Sequence, residues 1–270
     1  MKPVLFTIGG VNFYAYGFFV AMAFFVTYLA FLYLARNKKV DDKLLFEKLL
    51  VVLVAGVVGA RILYFILYYK EFSHWYDIFK IWQGGMVSFG GILGGLVALI
   101  IIFRKKLWES LDIFALSFLA GATVWRIGCF MAGDHPGVFS SAWYAINYQV
   151  PAVLFELAGS LIGFILFFTL YKFKVIKRDG YVFFLVWIWY GFTRLVVDQF
   201  RIDPMQWGLR TGQIAGIIMI LMGIIGIIYL KFKLSYARSA QRDYGGQGGA
   251  NGQRILKKTK NKVITGKNQT

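Results

Sequence analysis

Long apolar segments alternate with short polar segments along most of this chain. The apolar segments are similar in length and cover about residues 12–35, 45–69, 85–103, 110–131, 151–171, 181–200 and 212–230. Each is close to the roughly 20 residues that an α-helix needs to cross a bilayer. The pattern therefore predicts an all-α polytopic membrane protein with seven transmembrane helices.

Composition agrees with this prediction, and the charges add an orientation. The chain has 270 residues, of which 59% are hydrophobic, and a net charge of +17. If the seven segments alternate across the membrane, 22 of the 30 Lys and Arg residues fall on one side and five on the other. Because positive residues collect on the cytoplasmic side, the N-terminus is predicted to lie outside and the C-terminus in the cytoplasm. Topology accounts for the charge, so a nucleic-acid partner is not indicated.

The polar segments differ in length and composition. The segment after the fourth apolar stretch, residues 132–150, is long enough to form a small cap that faces outward. Residues 235–270 are basic, rich in glycine and nearly free of large apolar side chains, which predicts a disordered cytoplasmic tail. The chain is thus divided into a transmembrane domain, residues 1–234, and a tail, residues 235–270.

Three arginines interrupt the apolar segments: Arg61, Arg126 and Arg194. A guanidinium keeps its charge inside a protein, and placing it in hydrocarbon costs at least about 3 kcal/mol. The helical rise of about 1.5 Å per residue puts all three in the outer half of the bilayer. Ion pairs that only hold helices together can explain any one of them. Three at a matching depth favour an anion site, and in a membrane the obvious anion is a lipid phosphate.

Other polar residues are expected in the same outer half. Tyr16, Glu156 and Gln213 lie near the outer ends of the first, fifth and seventh apolar segments. Asp198 follows Arg194 by one helical turn, so the two side chains share a face and can either pair or jointly line a cavity. These positions predict a polar, cationic chamber that opens toward the outer leaflet.

Glycines cluster in the segment WQGGMVSFGGILGG, where Gly90 and Gly94, and likewise Gly91 and Gly95, are four residues apart. This spacing lets helix backbones approach closely, and helix packing is the default interpretation. The alternative is that Gly90 and Gly91 open the helix backbone toward a lipid headgroup. The sequence does not distinguish the two.

Several short motifs follow one another along the chain. They are PVLFTIGGVNFYAYG, GVVGARILY, WQGGMVSFGG, WRIGCFMAGDHPG, VPAVLFEL, YGFTRLVVDQFR and, at the start of the last apolar segment, TGQI. Each is weakly specific by itself. Together, on a pattern of seven spans, they resemble the prolipoprotein diacylglyceryl transferase family over nearly all of residues 3–230.

The resemblance implies a multi-pass enzyme of the bacterial cytoplasmic (inner) membrane, where membrane lipids surround it. The donor it implies is phosphatidylglycerol, and the acceptor is the cysteine thiol of a prolipoprotein signal peptide. The products are a thioether-linked diacylglycerol and glycerol phosphate. No residue pattern suggests a metal or an organic cofactor.

The resemblance also implies roles for particular residues. Arg126 and Arg194 are the catalytic candidates, because guanidiniums can stabilise charge on a departing phosphate. Asp134 and His135 are candidates for the base that deprotonates the thiol; alternatively, the arginines lower the pKa of the thiol so far that no base is needed. The expected substrate-binding residues are Tyr16, Arg61, Gly90, Gly91, Gly128, Gly137, Glu156, Asp198 and Gln213.

Some positions depart from the family's pattern. Phe89 stands where the family has a histidine, and a phenyl ring can neither accept a proton nor donate a hydrogen bond. Cys129, Ala132 and Val150 replace two asparagines and a second histidine. These departures favour an alternative function, that of an impaired or repurposed relative which binds or handles anionic phospholipid. An anion channel or transporter ranks last, because the inner halves of the apolar segments are nearly uncharged.

Overall fold

The structure is a computed structural model that describes most of the chain. The described residues are 4–8, 11–36, 42–69, 72, 74–80, 85, 87–134, 136–203, 205–206 and 208–245. They form seven α-helices, which are α1 (Ala15–Ala35), α2 (Asp42–Leu67), α3 (Ser88–Ile102), α4 (Leu107–Ala132), α5 (Ala152–Lys172), α6 (Tyr181–Val197) and α7 (Thr211–Gly245).

Two short hairpins accompany the helices in the described part of the chain. Strands β1 (Val4–Ile8) and β2 (Val11–Tyr14) pair antiparallel just before α1, and β3 (Met205–Gln206) and β4 (Leu209–Arg210) pair antiparallel just before α7. The all-α prediction therefore holds for the spanning elements, and the hairpins are additions that the apolar pattern did not indicate.

Six of the seven helices are long and apolar enough to cross a membrane, which makes this a multi-pass membrane protein. The exception is α3, which has only 15 residues. At about 1.5 Å per residue it measures about 22 Å, less than the roughly 30 Å of a bilayer core. The predicted stretch at 85–103 is shortened because Gly85 and Val87 are not helical and α3 begins at Ser88. Gly85 has a φ of 75°, a left-handed conformation in which a Cβ would overlap the ring of Tyr64.

The chain forms two compact units. One comprises Met1–Phe31 and Asp112–Thr270, and the other comprises Leu32–Leu111. In the Leu32–Leu111 unit, α2 and α3 touch through glycine. A Cβ on Gly90 would overlap the carbonyl oxygen of Gly59, and one on Gly59 would lie 3.0 Å from Cα of Gly94. This close approach supports helix packing, rather than an opened backbone, as the reason for the glycine cluster.

In the other unit, α6 packs against α7 in the same way. A Cβ on Gly191 would lie 2.6 Å from the carbonyl oxygen of Gly216, and the reverse distance is 2.7 Å. On another side of α6, the indole Nε1 of Trp189 donates a hydrogen bond of 2.9 Å to the Gly159 carbonyl of α5. These contacts fix the last turn of α6, where Arg194 lies.

Asp112, which lies near the start of α4, connects that helix to the start of α6. Its carboxylate accepts hydrogen bonds of 2.7 Å from the backbone N–H groups of Gly180 and Phe183, at the start of α6. These N–H groups have no partner within their own helix, and the carboxylate also faces the positive end of the helix dipole. Asp112 is only 2% exposed. It therefore sets the position of α6, which carries Arg194, relative to α4, which carries Arg126.

The last helix continues beyond the predicted end of the membrane domain. The sequence predicts disorder from residue 235, whereas α7 extends to Gly245. The segment SYARSAQRDY has no proline, so a helix that starts in the membrane can continue through it. The rest of the predicted tail, residues 246–270, lies outside the described residues.

Candidate functional site

A single carboxylate, that of Glu156, binds three guanidinium groups. Its Oε2 lies 2.8 Å from Nη1 of Arg126, and its Oε1 lies 3.1 Å from Nη1 of Arg201. The same Oε1 accepts a short hydrogen bond from Nη1 of Arg194. The Glu156 side chain is 4% exposed, so these charges face one another with little water between them.

The three arginines come from different parts of the unit that contains them. Arg126 lies less than two turns before the end of α4, and Arg194 lies in the last turn of α6. Arg201 follows the 3₁₀ turn Asp198–Phe200, and Glu156 lies near the start of α5. The ends of α4 and α6 and the start of α5 therefore meet at one end of the unit.

Asp198 is the second carboxylate of the cluster. Its Oδ2 lies 3.1 Å from Nη2 of Arg194, and its Oδ1 lies 3.6 Å from Nη1 of Arg201. The pairing with Arg194 is the one that the four-residue spacing predicts. Asp198 is fully buried, and a Cβ on Gly212 of α7 would overlap its carboxylate and the Arg194 guanidinium. The first turn of α7 can lie beside this ion pair only because residue 212 has no side chain.

Arg201 follows the sixth apolar segment, and the sequence predictions did not include it among the site residues. Its side chain is 5% exposed, and in addition to Glu156 and Asp198 it binds Asp203, with Nε 3.0 Å from Oδ2. The sequence signal that could have identified it is the motif YGFTRLVVDQFR, which contains Arg194, Asp198 and Arg201 together.

The formal charges of this cluster cancel. The guanidiniums of Arg126, Arg194 and Arg201 carry three positive charges, and the carboxylates of Glu156, Asp198 and Asp203 carry three negative charges. We refer to these six residues as the arginine cluster. Arg194 is its most accessible guanidinium, with a side chain 16% exposed compared with 5% for each of the others.

Arg126 has further neighbours that the sequence did not indicate. Its Nη2 donates a hydrogen bond of 3.4 Å to the hydroxyl of Tyr190 on α6, and the guanidinium lies 4.8 Å from the ring centroid of Trp125. Cys129 is buried, and its sulfur lies 4.0 Å from Nη1 of Arg126. Arg126 is therefore enclosed by aromatic and polar groups, as a cation in an apolar environment requires.

The loop after α4 is anchored beside the cluster. Gly133, with a φ of 79°, ends α4, and the next residue, Asp134, is exposed. At Gly137 the chain runs so close to Val150 and Phe200 that a Cβ would overlap the Val150 carbonyl oxygen. The loop and the start of α5 line a small cavity formed by Phe130, Gly133, Asp134, Pro136, Gly137, Ile146, Gln149, Val150, Pro151, Ala152 and Val153. His135 lies outside the described residues.

Arg61 lies in the Leu32–Leu111 unit and binds that unit's own loop. Its guanidinium donates to the carbonyls of Ile78 and Gly85 at 2.9 Å, of Asp77 at 2.8 Å and of Lys80 at 3.0 Å. Four carbonyl partners satisfy most of the donors of one guanidinium. The geometry supports a structural role for Arg61, as the organiser of the loop between α2 and α3.

The same loop contains a surface ion pair. The ammonium of Lys80 lies 2.6 Å from Oδ1 of Asp77. The hydrogen bond from Lys80 holds the pKa of the Asp77 carboxyl below its ordinary value, and the bond to Asp77 raises the pKa of Lys80. The pair also bridges residues whose carbonyls bind Arg61, so it reinforces the same turn.

Other predicted site residues make packing or backbone contacts. Gly128 faces α1, where a Cβ would lie 2.6 Å from Cβ of Phe19 and 3.6 Å from the carbonyl oxygen of Tyr16. Tyr16 itself is 42% exposed. Gln213 accepts a 3.0 Å hydrogen bond from the backbone N–H of Arg210, at the start of α7.

The positions that depart from the motif pattern differ in their surroundings. Val150 is buried, with 3% exposure, beside Gly137 of the loop. Ala132 is the last residue of α4. Phe89 lies in the first turn of α3, and its side chain lies outside what the structure describes.

Comparison with known proteins agrees with the motifs. A family model described as "Prolipoprotein diacylglyceryl transferase" matches residues 3–229. Proteins named phosphatidylglycerol–prolipoprotein diacylglyceryl transferase are similar over most of their length. One from Listeria welshimeri is 28% identical over 258 residues, covering 87% of this chain and 92% of the relative. One from Streptococcus pneumoniae is 32% identical over 212 residues, covering 72% of this chain and 80% of the relative.

Proposed function

The chain belongs to the prolipoprotein diacylglyceryl transferase family, and we propose that it transfers the diacylglyceryl group of phosphatidylglycerol to the cysteine thiol of a prolipoprotein signal peptide. This transfer starts the maturation of bacterial lipoproteins. The structural observation that supports it best is the meeting of Arg126 and Arg194, from two helices, on one buried carboxylate. Two guanidiniums held side by side can bind the two free oxygens of a phosphate.

The reaction breaks one bond and forms one. The thiolate sulfur attacks the glyceryl carbon that carries the phosphate ester, a carbon–sulfur bond forms, and the carbon–oxygen bond breaks. The bonding electrons leave on the phosphate oxygen, so glycerol phosphate departs with an additional negative charge. Arg126 and Arg194 stabilise this developing charge, and their effect is large in an environment with little water.

The proton of the thiol must also be removed. Asp134 is exposed at the edge of the cavity beside the cluster, and it is the described carboxylate best placed to meet a thiol that arrives from solvent. His135 is the neighbouring candidate. If neither is required, the positive guanidiniums of Arg126 and Arg194 favour the thiolate and lower the pKa of the bound thiol.

The proposed location is the bacterial cytoplasmic membrane, with the N-terminus outside and the C-terminus in the cytoplasm. This orientation rests on the distribution of Lys and Arg between the two sides. With α3 counted as a short span, the arginine cluster lies toward the outer leaflet, where the lipid donor and the signal peptide are both accessible.

The proposal is tested by transfer of labelled diacylglycerol from phosphatidylglycerol to a signal peptide containing the acceptor cysteine. The purified protein is compared with Arg126→Ala and Arg194→Ala, and with Arg178→Ala as a control on an exposed loop arginine. Transfer by the wild type and the control, lost in both cluster variants, is the expected result. Well-folded wild type that binds phosphatidylglycerol but transfers nothing, with transfer restored by Phe89→His, would show instead that Phe89 has cost this protein its chemistry.

A further inference from the structure

We propose that Glu156 has two functions in this site: it holds the three arginines in one array, and it weakens the attraction of that array for phosphate so that the product can leave. Glu156 is then a positioning and charge-balancing residue that does not contact the phosphate. This inference rests on the proposed function, because it concerns the release of glycerol phosphate.

The first function follows from the geometry. Guanidiniums that approach one carboxylate so closely repel one another, and their side chains are at least 84% buried, so water screens them little. Arg194 and Arg201 also bind Asp198, but among the ion pairs of the described residues Arg126 binds Glu156 alone. Glu156 is therefore the ionic connection that holds the arginine of α4 beside those of α6 and the following turn, in addition to the hydrogen bond from Arg126 to Tyr190.

The position of Glu156 indicates that phosphate reaches the arginines from another side. Its side chain is 4% exposed, whereas the side chain of Arg194 is 16% exposed. An incoming phosphate therefore meets the more exposed Arg194 before it meets Glu156. The carboxylate can thus remain bound to the arginines while a phosphate approaches the exposed part of the Arg194 side chain.

The second function follows from the charges of the two ligands. Phosphatidylglycerol presents a phosphate diester with one negative charge, whereas the product is a phosphate monoester, which carries about −1.5 to −2 at neutral pH. An array with three uncompensated positive charges attracts the product more strongly than the substrate, and product release then limits turnover. The carboxylates of the arginine cluster cancel this net charge, and the directed hydrogen bonds of the guanidiniums remain.

The Glu156→Gln variant removes one negative charge and keeps the shape of the side chain. We expect its apparent KM for phosphatidylglycerol to fall, its kcat to fall, and the inhibition constant of glycerol phosphate to fall by roughly tenfold. Asp179→Asn, which removes the same charge from an exposed loop position, is the matched control and is expected to leave all three unchanged. If Glu156 has only a structural role, the Glu156→Gln variant should instead show a higher KM for phosphatidylglycerol and an unchanged inhibition constant for glycerol phosphate. That result overturns the proposal.

Two further variants separate charge from geometry, and they also serve if Glu156→Gln does not fold. Glu156→Asp keeps the charge and shortens the reach, so kcat is expected to fall while the inhibition constant stays within about twofold of wild type. Asp203→Asn removes a charge at the edge of the cluster, and the inhibition constant is expected to fall as it does for Glu156→Gln. A folded Asp203→Asn protein with an unchanged inhibition constant contradicts the charge-balancing role.

Failure of the proposed function gives a different result from failure of this inference. A wild-type protein that transfers nothing contradicts the function. Calorimetric titration of glycerol phosphate into detergent-solubilised wild type, Glu156→Gln and Asp179→Asn then still tests the charge balance. Tighter binding only to the Gln variant supports it, and equal binding to all three overturns it.

Discussion

Arg126 on α4 and Glu156 on α5 form a buried ion pair, with Nη1 and Oε2 2.8 Å apart and side-chain exposures of 5% and 4%. Such a pair contributes little net stability when intact, because both charges give up their hydration. Removing one partner is costly, since the other charge is left buried and unpaired. The pair therefore determines where the arginine lies, and the arginine cannot be moved or shortened without consequence.

Arg126→Lys tests how far the fork geometry of the guanidinium matters. The variant keeps the charge but loses the planar donors that reach Glu156 and Tyr190 at the same time. We expect a loss of transfer of roughly 10²-fold or more, with the protein still folded. The measurement is kcat/KM with phosphatidylglycerol, next to thermal unfolding in detergent. Activity near that of wild type would show that only the charge of Arg126 is used.

Gly212→Ala tests the close approach of α7 to the Arg194–Asp198 pair. A Cβ at this position overlaps both side chains of the pair, so we expect the ion pair to separate and transfer to fall at least about tenfold. Gly95→Ala is the matched control, because its Cβ meets Val52 at an ordinary distance of 3.8 Å. Equal activity of the two variants would contradict the described position of α7.

Asp112→Ala tests the tie between α4 and the start of α6. Its loss leaves the backbone N–H groups of Gly180 and Phe183 without their acceptor, which should lower the free energy of unfolding by about 1–3 kcal/mol. Thermal unfolding in detergent measures the change. Asp179 is an exposed residue next to the same helix start, and the Asp179→Ala variant should change the free energy of unfolding much less.

Arg61→Ala tests the structural role of the third intramembrane arginine. The variant leaves the carbonyls of Asp77, Ile78, Lys80 and Gly85 without the guanidinium. We expect the loop between α2 and α3 to exchange its amide hydrogens and to be cleaved by protease much faster than in wild type. If instead the loop is unchanged and only the KM for phosphatidylglycerol rises, Arg61 is a headgroup ligand.

The Asp77–Lys80 pair gives that loop a defined pH dependence. The lowered pKa of Asp77 means that the pair's contribution is present above the ordinary value of 3.8 and is lost as the pH falls through the lowered pKa. The raised pKa of Lys80 means that it is present below the ordinary value of 10.5 and is lost as the pH rises through the raised pKa. In wild type, amide exchange of residues 74–80 should therefore accelerate both at low pH and at high pH, where the ion pair is lost. In the Asp77→Asn variant, which lacks the ion pair, this acceleration should be absent.

The sequence was most informative about features that lie within a single helix. The apolar segments predicted seven spans, and six of the helices are long and apolar enough to cross a membrane. The four-residue interval placed Arg194 and Asp198 on one helical face, where they form an ion pair. It was less informative where the chain leaves a helix. The burial of Arg201, which follows the apolar segment, was not predicted. The length of α3 was overestimated because Gly85 and Val87 are small or apolar without being helical.

By itself the sequence determined the membrane class, the family and the identity of Arg126 and Arg194 as cations that need partners, because hydrophobic length and buried charge are properties of the local chain. The tertiary structure decided which partners they have. Glu156 joins arginines 30, 38 and 45 positions away in the chain, and Arg61 binds the carbonyls of its own unit. A guanidinium in hydrocarbon must be neutralised by some acceptor, but which acceptor is within reach depends on how the helices pack.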